Sequence, residues 1–365
     1  MEKSIAICAA TPFQMLNAIN LAYNHLGSNY YKVLFYRNYS ETTNLIVNKI
    51  RTYDLFDEII EYNLVDKNKG FIYYLNDLEQ ATMPRRFIEN LSSSGVILSE
   101  YDFDYITVTS GTEVEVALTR VFPNARTIAY DDGLGSYVGD IVHDHKLHWI
   151  WRMLGRRTDK IWPEVMYVNN ASFCDTRLSD NIKQLKSLDK SNTEYREMIN
   201  DVFTYSADHL YSKHRIVYLT QPLDEIDKSL SEQVKETEKE LELFKQDCVI
   251  RMHPRAKMNL EEFMETDSTN NLWELVCAND ISAEHILIGM CSSAQLMPKI
   301  LYNKEPWVIF TFNQYQYCDG SIVDSRFAPI ARKLKDTYVN KEKVIIPSNR
   351  RELFEVISAI LKNEK

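Results

Sequence analysis

Two adjacent carboxylates follow a predicted strand in the first half of the chain. Asp131 and Asp132 come directly after the apolar run Thr127–Tyr130, and Gly133 follows them. A carboxylate held at the end of a strand can accept a proton from a hydroxyl group. Asp-Gly is also a common turn sequence with no chemical role. The motif therefore predicts either a general base or a turn, and the residues alone leave both open.

A histidine and a proline end a predicted strand in the second half of the chain. His253 and Pro254 follow the strand Cys248–Met252 and lie between Arg251 and Arg255. The histidine can donate a hydrogen bond to a departing phosphate, and an arginine can offset the phosphate charge. The proline restricts the backbone and would fix the orientation of the ring. A structural histidine before a proline is the alternative interpretation.

A serine pair begins a predicted helix further along. Gly289, Ser292 and Ser293 follow the predicted strand His285–Ile288, and the helix is predicted to end near Tyr302. Helix N-terminal amides and serine hydroxyls bind phosphate, although serine is also a common N-cap. An acid pair in one half with His-Pro and Ser-Ser in the other is the division of roles expected of a two-domain glycosyltransferase. Protein donors can neutralise a leaving phosphate, so we expect no metal.

Predicted strands and helices alternate along the chain, which favours mostly parallel sheets wound by helices. We expect strands at 4–9, 33–36, 57–62, 105–109, 126–130, 216–220, 248–252, 285–288 and 307–312. Predicted helices cover 12–26, 42–50, 78–91, 112–120, 223–244, 272–277, 292–302 and 351–361. The residues 175–200 are polar and have weak periodicity.

This alternation predicts an α/β protein of two Rossmann-like domains. An N-terminal acceptor-side domain would span 1–210 and a C-terminal nucleotide-binding domain 211–345, with a helix in 346–365 packing back on the first domain. Two parallel sheets facing a central cleft would place ligands at the carboxyl ends of the strands.

Composition excludes several classes of function. The 365 residues suit two domains, and 42 Lys and Arg against 52 Asp and Glu give a net charge of −10, which disfavours nucleic-acid binding. None of the six cysteines forms a C-x-x-C pair, which predicts reduced thiols in a cytosolic protein. No stretch approaches a membrane span in length. The loops typical of P-loop kinases and of nicotinamide enzymes do not occur in the sequence.

The ordered motifs resemble those of bacterial sialyltransferases. The segment Ala10–Ala18, ATPFQMLNA, resembles the start of glycosyltransferase family 52, and Leu219–Leu223, LTQPL, is also similar to that family. The resemblance extends over roughly residues 4–310 and is carried by short motifs. The family includes lipooligosaccharide and capsule sialyltransferases, so the resemblance implies a GT-B fold and a metal-independent, inverting transfer.

The resemblance also implies roles for residues in the first half. Asp131 would be the general base, with Asp132 and Gly133 in support. Thr11 and Gln14, in the loop after the first strand, would face the donor sugar or the acceptor.

In the second half, the resemblance implies a nucleotide site. His253 would assist the departure of CMP, Ser292 and Ser293 would hold its phosphate, and Gly289 would let the backbone approach the nucleotide closely. Arg251 and Met252 precede the His-Pro pair, where a lysine or glycine is common in related families.

Two further segments allow more than one interpretation. His143, Asp144, His145 and His148 form a histidine-rich patch that could hold a metal or lie in a loop. The segment 149–162 interleaves tryptophans with Arg and Lys. It would contact an anionic membrane surface, bind an anionic or glycolipid acceptor, or form a partly buried amphipathic helix.

Together these observations predict a cytoplasmic sialyltransferase with no cofactor. It would move sialic acid from CMP-sialic acid to a terminal sugar, such as galactose, of a bacterial surface glycan or glycolipid. We also expect a homodimer and peripheral contact with the inner face of the cell membrane. Two alternatives stay open: a hexose or hexosamine transferase that uses a UDP-sugar, and a non-catalytic nucleotide-binding assembly protein.

Overall fold

The chain divides into two units, Met1–Thr204 and Tyr205–Lys365, close to the predicted boundary at residue 210. The computed structural model describes residues 2–38, 41–63, 78–80, 82–93, 95–109, 112–133, 135–138, 163–174, 181–188, 192–207, 209–221, 228–253, 264–290, 292–316 and 327–362. Pro254, the histidine-rich patch and the whole segment 149–162 fall outside these residues. Each unit is an α/β sandwich with its own parallel sheet.

The first unit contains a seven-stranded sheet in the order β3-β2-β1-β4-β5-β6-β7, and every pairing between these neighbours is parallel. The strands are β1 Lys3–Ala9, β2 Tyr30–Arg37, β3 Glu58–Tyr62, β4 Tyr105–Thr107, β5 Arg126–Tyr130, β6 Val165–Val168 and β7 Ile182–Gln184. The helices are α1 Pro12–Asn24, α2 Glu41–Ile50, α3 Pro84–Leu91, α4 Glu113–Val121, α5 Gly135–Val138 and α6 Thr193–Val202. Short 3-10 turns occupy Arg51–Tyr53, Leu98–Glu100 and Ala171–Phe173.

Strand order reverses direction at β1 and β4. From β1 the chain adds β2 and β3 on one side, and from β4 it adds β5, β6 and β7 on the other. The helix α1 begins immediately after β1, with Thr11 as its N-cap and Pro12 at its first position, as the sequence predicts. In open α/β sheets, ligands bind outside the carboxyl ends of the strands at such a reversal.

The second unit contains a six-stranded parallel sheet in the order β10-β9-β8-β11-β12-β13. Its strands are β8 Ile216–Leu219, β9 Cys248–Arg251, β10 Glu265–Thr266, β11 Ile286–Gly289, β12 Trp307–Phe310 and β13 Val344–Ile345. Its helices are α7 Leu210–Lys213, α8 Lys228–Leu241, α9 Trp273–Asn279, α10 Met297–Tyr302, α11 Phe327–Thr337 and α12 Arg350–Lys362. Short 3-10 turns occupy Glu242–Phe244, Ser293–Gln295, Phe312–Gln314 and Lys341–Lys343. The order reverses between β8 and β11.

The last helix differs from its predicted place. We expected 346–365 to pack back on the first domain. Leu353, Ile357 and Ile360 of α12 instead lie in the core of the second unit, with Ile216 of β8 and Ile288 of β11. The helix covers one face of the second sheet, so it belongs to that domain.

The sequence pattern did not predict several of the strands and helices. The strands β7 and β10 are short and mostly exposed or half-buried, so they lack the apolar run that marks a buried parallel strand. The strand β6 and the helices α6 and α11 were also not predicted. Among the described residues, no helix is long and apolar enough to cross a membrane.

Candidate functional site

The residues that follow β1, β5 and β6 meet at the carboxyl edge of the first sheet. Gln14 lies in the first turn of α1, Asp131 and Asp132 follow β5, and Asn169 follows β6. Gly133 has a φ of 96°, a backbone conformation that residues other than glycine rarely adopt. The acid pair therefore sits in a tight turn, as one interpretation of the sequence predicts.

Asp131, predicted as the general base, is fully buried, at 0% exposure. Its Oδ1 accepts a hydrogen bond from the Gly133 amide at 2.9 Å. Its Oδ2 accepts from the Asn169 amide at 3.1 Å, from Asn169 Nδ2 at 2.9 Å and from the hydroxyl of Tyr137. Burial raises the pKa of this carboxyl, and the bonds from Tyr137 and Asn169 oppose that rise. The carboxylate holds the turn together and offers no exposed oxygen to a substrate hydroxyl, which is a geometry unlike that of the predicted base.

Asp132, predicted as support, has the geometry of a base. It is half-buried, its Oδ1 accepts a hydrogen bond from Gln14 Nε2 at 2.6 Å, and its Oδ2 has no partner among the described residues. Burial raises the pKa of Asp132 to about 7, the bond from Gln14 lowers it, and the charges of Glu115 and Asp131 raise it. A carboxyl group whose pKa lies near neutrality can accept a proton efficiently at physiological pH.

The orientation of the Gln14 amide is fixed from both ends. Its Oε1 accepts hydrogen bonds from the backbone amides of Ala10, at 2.6 Å, and Thr11, at 3.1 Å. The Thr11 hydroxyl in turn accepts a hydrogen bond from the backbone amide of Gln14 at 3.2 Å and completes a capping box. Gln14 Nε2 must therefore face Asp132. These contacts place Thr11 and Gln14 at the helix start and beside the acid. That either residue faces a sugar stays a prediction.

Three further polar residues stabilise this edge and were not singled out from the sequence. Asn17 Nδ2 donates to the Asp131 carbonyl at 2.9 Å, and Asn169 Nδ2 donates to Asn17 Oδ1 at 3.0 Å. Glu115 is almost fully buried and accepts from the Thr109 amide at 2.8 Å and the Thr112 amide at 2.6 Å. A glutamate three residues after a threonine is a capping-box signal that could have pointed to Glu115.

In the second unit, Arg251 has a structural role. Its guanidinium forms an ion pair with Asp267 and donates to the Asn271 carbonyl. The Asp267 side chain is 0% exposed and also accepts from the hydroxyl of Tyr211. Arg251 was expected to bind the nucleotide, but these contacts commit its side chain to the fold.

His253 lies at the predicted strand end and is half-buried. Its backbone amide donates to the Thr220 hydroxyl at 2.8 Å, which joins the end of β9 to the end of β8. This contact sets the path of the backbone at His253. The role of its ring in phosphate departure stays a prediction.

Packing within the protein leaves little room for a side chain at Gly289. A Cβ atom at this position would lie 3.0 Å from Gln295 Oε1 and 3.1 Å from the Leu219 carbonyl oxygen. Gln295 is fully buried, and its Nε2 donates to the Ile309 carbonyl at 2.9 Å. The expected close approach of nucleotide to this glycine is therefore not needed to explain it.

The serine pair opens a shorter element than predicted. Ser292 caps the single 3-10 turn Ser293–Gln295, and α10 follows. The Ser292 amide donates to Gln295 Oε1 at 3.1 Å, and the Ala294 amide donates to Ser292 Oγ at 3.3 Å. Two amides that were candidates for phosphate are thus used internally, while Ser293 is exposed. Within the described residues, no three His, Cys, Asp or Glu side chains are placed to hold a metal ion.

The raised pKa of Asp132 makes a prediction about stability. The pKa rises from an ordinary value near 3.8 to about 7 on folding, so the carboxyl destabilises the fold progressively as pH rises between these values. The variant Asp132→Asn should therefore unfold like the wild type at pH 4 and be more stable at pH 8.5, by on the order of 4 kcal/mol. Urea unfolding at both pH values measures this. An equal effect at pH 4 and 8.5 would show that the pKa is not raised.

The buried ion pair makes a second prediction. The variant Arg251→Met leaves the Asp267 carboxylate buried without its charge partner, which should cost about 3–5 kcal/mol of stability. Lys341→Met is the matched control, because it breaks an exposed ion pair with Asp336 in the same unit and should cost less than about 1 kcal/mol. Urea unfolding compares the two. Wild-type stability of Arg251→Met with a loss of nucleotide affinity would restore the expected binding role.

Comparison with known proteins supports the fold. A scan against protein-family models and a search of curated proteins both find no match. Among solved structures, the chain is similar to the UDP-GlcNAc 2-epimerase of Methanocaldococcus jannaschii, with a TM-score of 0.53, 11% identity and coverage of 98% of this chain and 93% of that one. It is also similar to S. aureus MnaA in complex with UDP, with a TM-score of 0.55, 13% identity and coverage of 100% and 89%.

A third similar structure is the spinosyn rhamnosyltransferase SpnG, with a TM-score of 0.51, 9% identity and coverage of 99% of this chain and 91% of that one. At these identities the likeness concerns the fold alone. The chain therefore has the GT-B fold, with two parallel-sheet Rossmann-like domains, as the sequence predicts.

Proposed function

We propose that this protein is a glycosyltransferase that moves a sugar from a nucleotide-activated donor to a hydroxyl group, with Asp132 as the general base. The observation that carries the proposal is the half-buried Asp132 carboxyl, whose pKa lies at about 7 and whose second oxygen has no partner among the described residues. The fold supports it, because GT-B structures include glycosyltransferases. The acceptor would be a glycan or glycolipid.

The transfer step balances as a single displacement. Asp132 takes the proton of the acceptor hydroxyl while the hydroxyl oxygen forms a bond to the anomeric carbon of the donor. The bond between that carbon and the phosphate oxygen breaks, and its electron pair leaves with the nucleotide. His253 and the hydroxyl of Ser293 are the groups proposed to stabilise the departing phosphate. Attack from the side opposite the phosphate inverts the anomeric carbon.

We propose a UDP-linked hexose or hexosamine as the donor. Similar solved structures are described with UDP or as UDP-GlcNAc enzymes, which supports this alternative over CMP-sialic acid. CMP-sialic acid stays the second candidate, because the order of the Asp-Asp-Gly, His-Pro and Ser-Ser motifs resembles that of bacterial sialyltransferases.

Nucleotide screening separates these candidates. Thermal shift with CMP, CDP, UDP and GDP should show the largest stabilisation with UDP. The matching nucleotide-sugars are then incubated with a panel of glycosides and read by mass spectrometry. Stabilisation by CMP alone, with sialylated product, would establish the second candidate. Conversion of a UDP-sugar to its epimer without transfer would indicate an epimerase, and binding without any turnover would indicate a non-catalytic protein.

Substitution of the two acids makes opposite predictions. Asp132→Asn should lower kcat by about 10²–10⁴-fold with the fold intact, since the group that accepts the proton is lost. Asp131→Asn should lower the melting temperature, because an amide in place of the carboxylate sets an N–H group against the donors that surround it. Asp54→Asn is the control, an exposed aspartate with a φ of 48° that asparagine tolerates. Normal turnover in Asp132→Asn would exclude the proposed base.

Gln14 gives a test of how the base is tuned. Wild-type kcat/KM should rise with pH through about 7, as Asp132 loses its proton. In Gln14→Glu, the new carboxylate still accepts the Ala10 and Thr11 amides but cannot donate to Asp132, and its charge repels that of the acid. The rise should therefore move to higher pH by one unit or more. An unchanged profile in an active, folded Gln14→Glu variant would contradict this role of Gln14.

A further inference from the structure

A carboxyl group is buried in the second unit outside the residues discussed so far. Glu238, on α8, is only 4% exposed. Its Oε1 accepts a hydrogen bond from the hydroxyl of Tyr218 at 3.2 Å. Its Oε2 is shielded from solvent and has no hydrogen-bond partner among the described residues. A half-satisfied buried carboxyl is costly, and an apolar side chain would serve the core better.

Glu238 lines a narrow pocket at the carboxyl end of β8. Thr220 and Gln221, which follow that strand, line the pocket with Tyr218, and Val234 and Met290 contribute apolar surface. The pocket has room for about one water-sized group. The pocket lies where the strand order reverses between β8 and β11, which is the place where ligands bind in such sheets.

The carboxyl group is suited to more than one kind of partner. Burial raises the pKa of Glu238 to about 7, the bond from Tyr218 lowers it, and the charge of Lys235 lowers it further. Near neutrality both forms are therefore populated. The ionised form accepts hydrogen bonds, and the protonated form also donates one.

We propose that this pocket is a ligand subsite that takes one hydroxyl or amino group from the edge of the nucleotide-sugar. The subsite rests on the proposed function, since it assigns the occupant to the donor. The small pocket fits a single polar group and not a whole ring. The unpartnered oxygen supplies the acceptor that such a group needs, and the apolar walls strengthen the hydrogen bond by excluding water.

Calorimetric titration of Glu238 variants tests the subsite. Glu238→Leu removes the hydrogen bond, and it should melt at or above the wild-type temperature because a half-satisfied buried carboxyl is replaced by an apolar group. It should weaken binding of UDP or of the UDP-sugar by about tenfold. Glu238→Gln keeps an acceptor and a donor and should stay within about threefold. Glu236→Gln is the matched control, because its carboxylate lies on the exposed side of the same helix.

Ligand pairs identify the group that enters. If Glu238→Leu loses affinity for UDP but not for 2′-deoxy-UDP, the group is a ribose hydroxyl. If it loses affinity for CMP but not for UMP, the group is the amine of the base. If it loses affinity for the UDP-sugar but not for UDP, the group belongs to the transferred sugar. Equal binding of every ligand to Glu238→Leu and to the wild type would show that the pocket holds water only, and would overturn the subsite while leaving the transferase proposal standing. A wild type that binds none of these ligands would overturn both.

Discussion

A buried carboxylate needs a hydrogen bond for each of its oxygens, and the carboxyl edge of the first sheet is built around that requirement at Asp131. Gly133, Tyr137 and Asn169 all donate to this one side chain. The three donors come from the turn itself, from α5 and from the residue after β6, so the carboxylate ties together segments distant in sequence. Because Asp131 fixes the turn, the neighbouring Asp132 is held in one place.

The two adjacent acids thus have different roles because their surroundings differ. Asp131 is surrounded by donors and is closed off, whereas Asp132 has one donor, Gln14, and burial raises its pKa to about 7. The helix α1, which carries Gln14, packs against β5, which leads into the acid pair. Such placement of a destabilised acid on a rigid turn is typical of a functional site.

Apolar runs in the sequence were sufficient to predict most of the sheet. The strand β5 has the predicted bounds, and β1 and α1 follow from a buried run and from the Thr11-Pro12 start. The roles within the site were harder to predict. Asn169 follows β6, which was not predicted, so nothing indicated that Asp131 would be enclosed. Arg251 was expected to bind phosphate because its ion pair with Asp267 could not be predicted. Asp267 follows β10, a strand of only two residues that has no recognisable sequence pattern.

The proton affinity of Asp132 is the property on which the proposed chemistry depends. It is measured most directly by NMR titration of the aspartate carboxyl carbons in the wild type and in Asp132→Asn, without any substrate. We expect one carboxyl resonance with a midpoint near pH 7 in the wild type, and we expect that resonance to be absent from the variant. A midpoint near pH 4 for the resonance that disappears would contradict the assignment of Asp132 as the base.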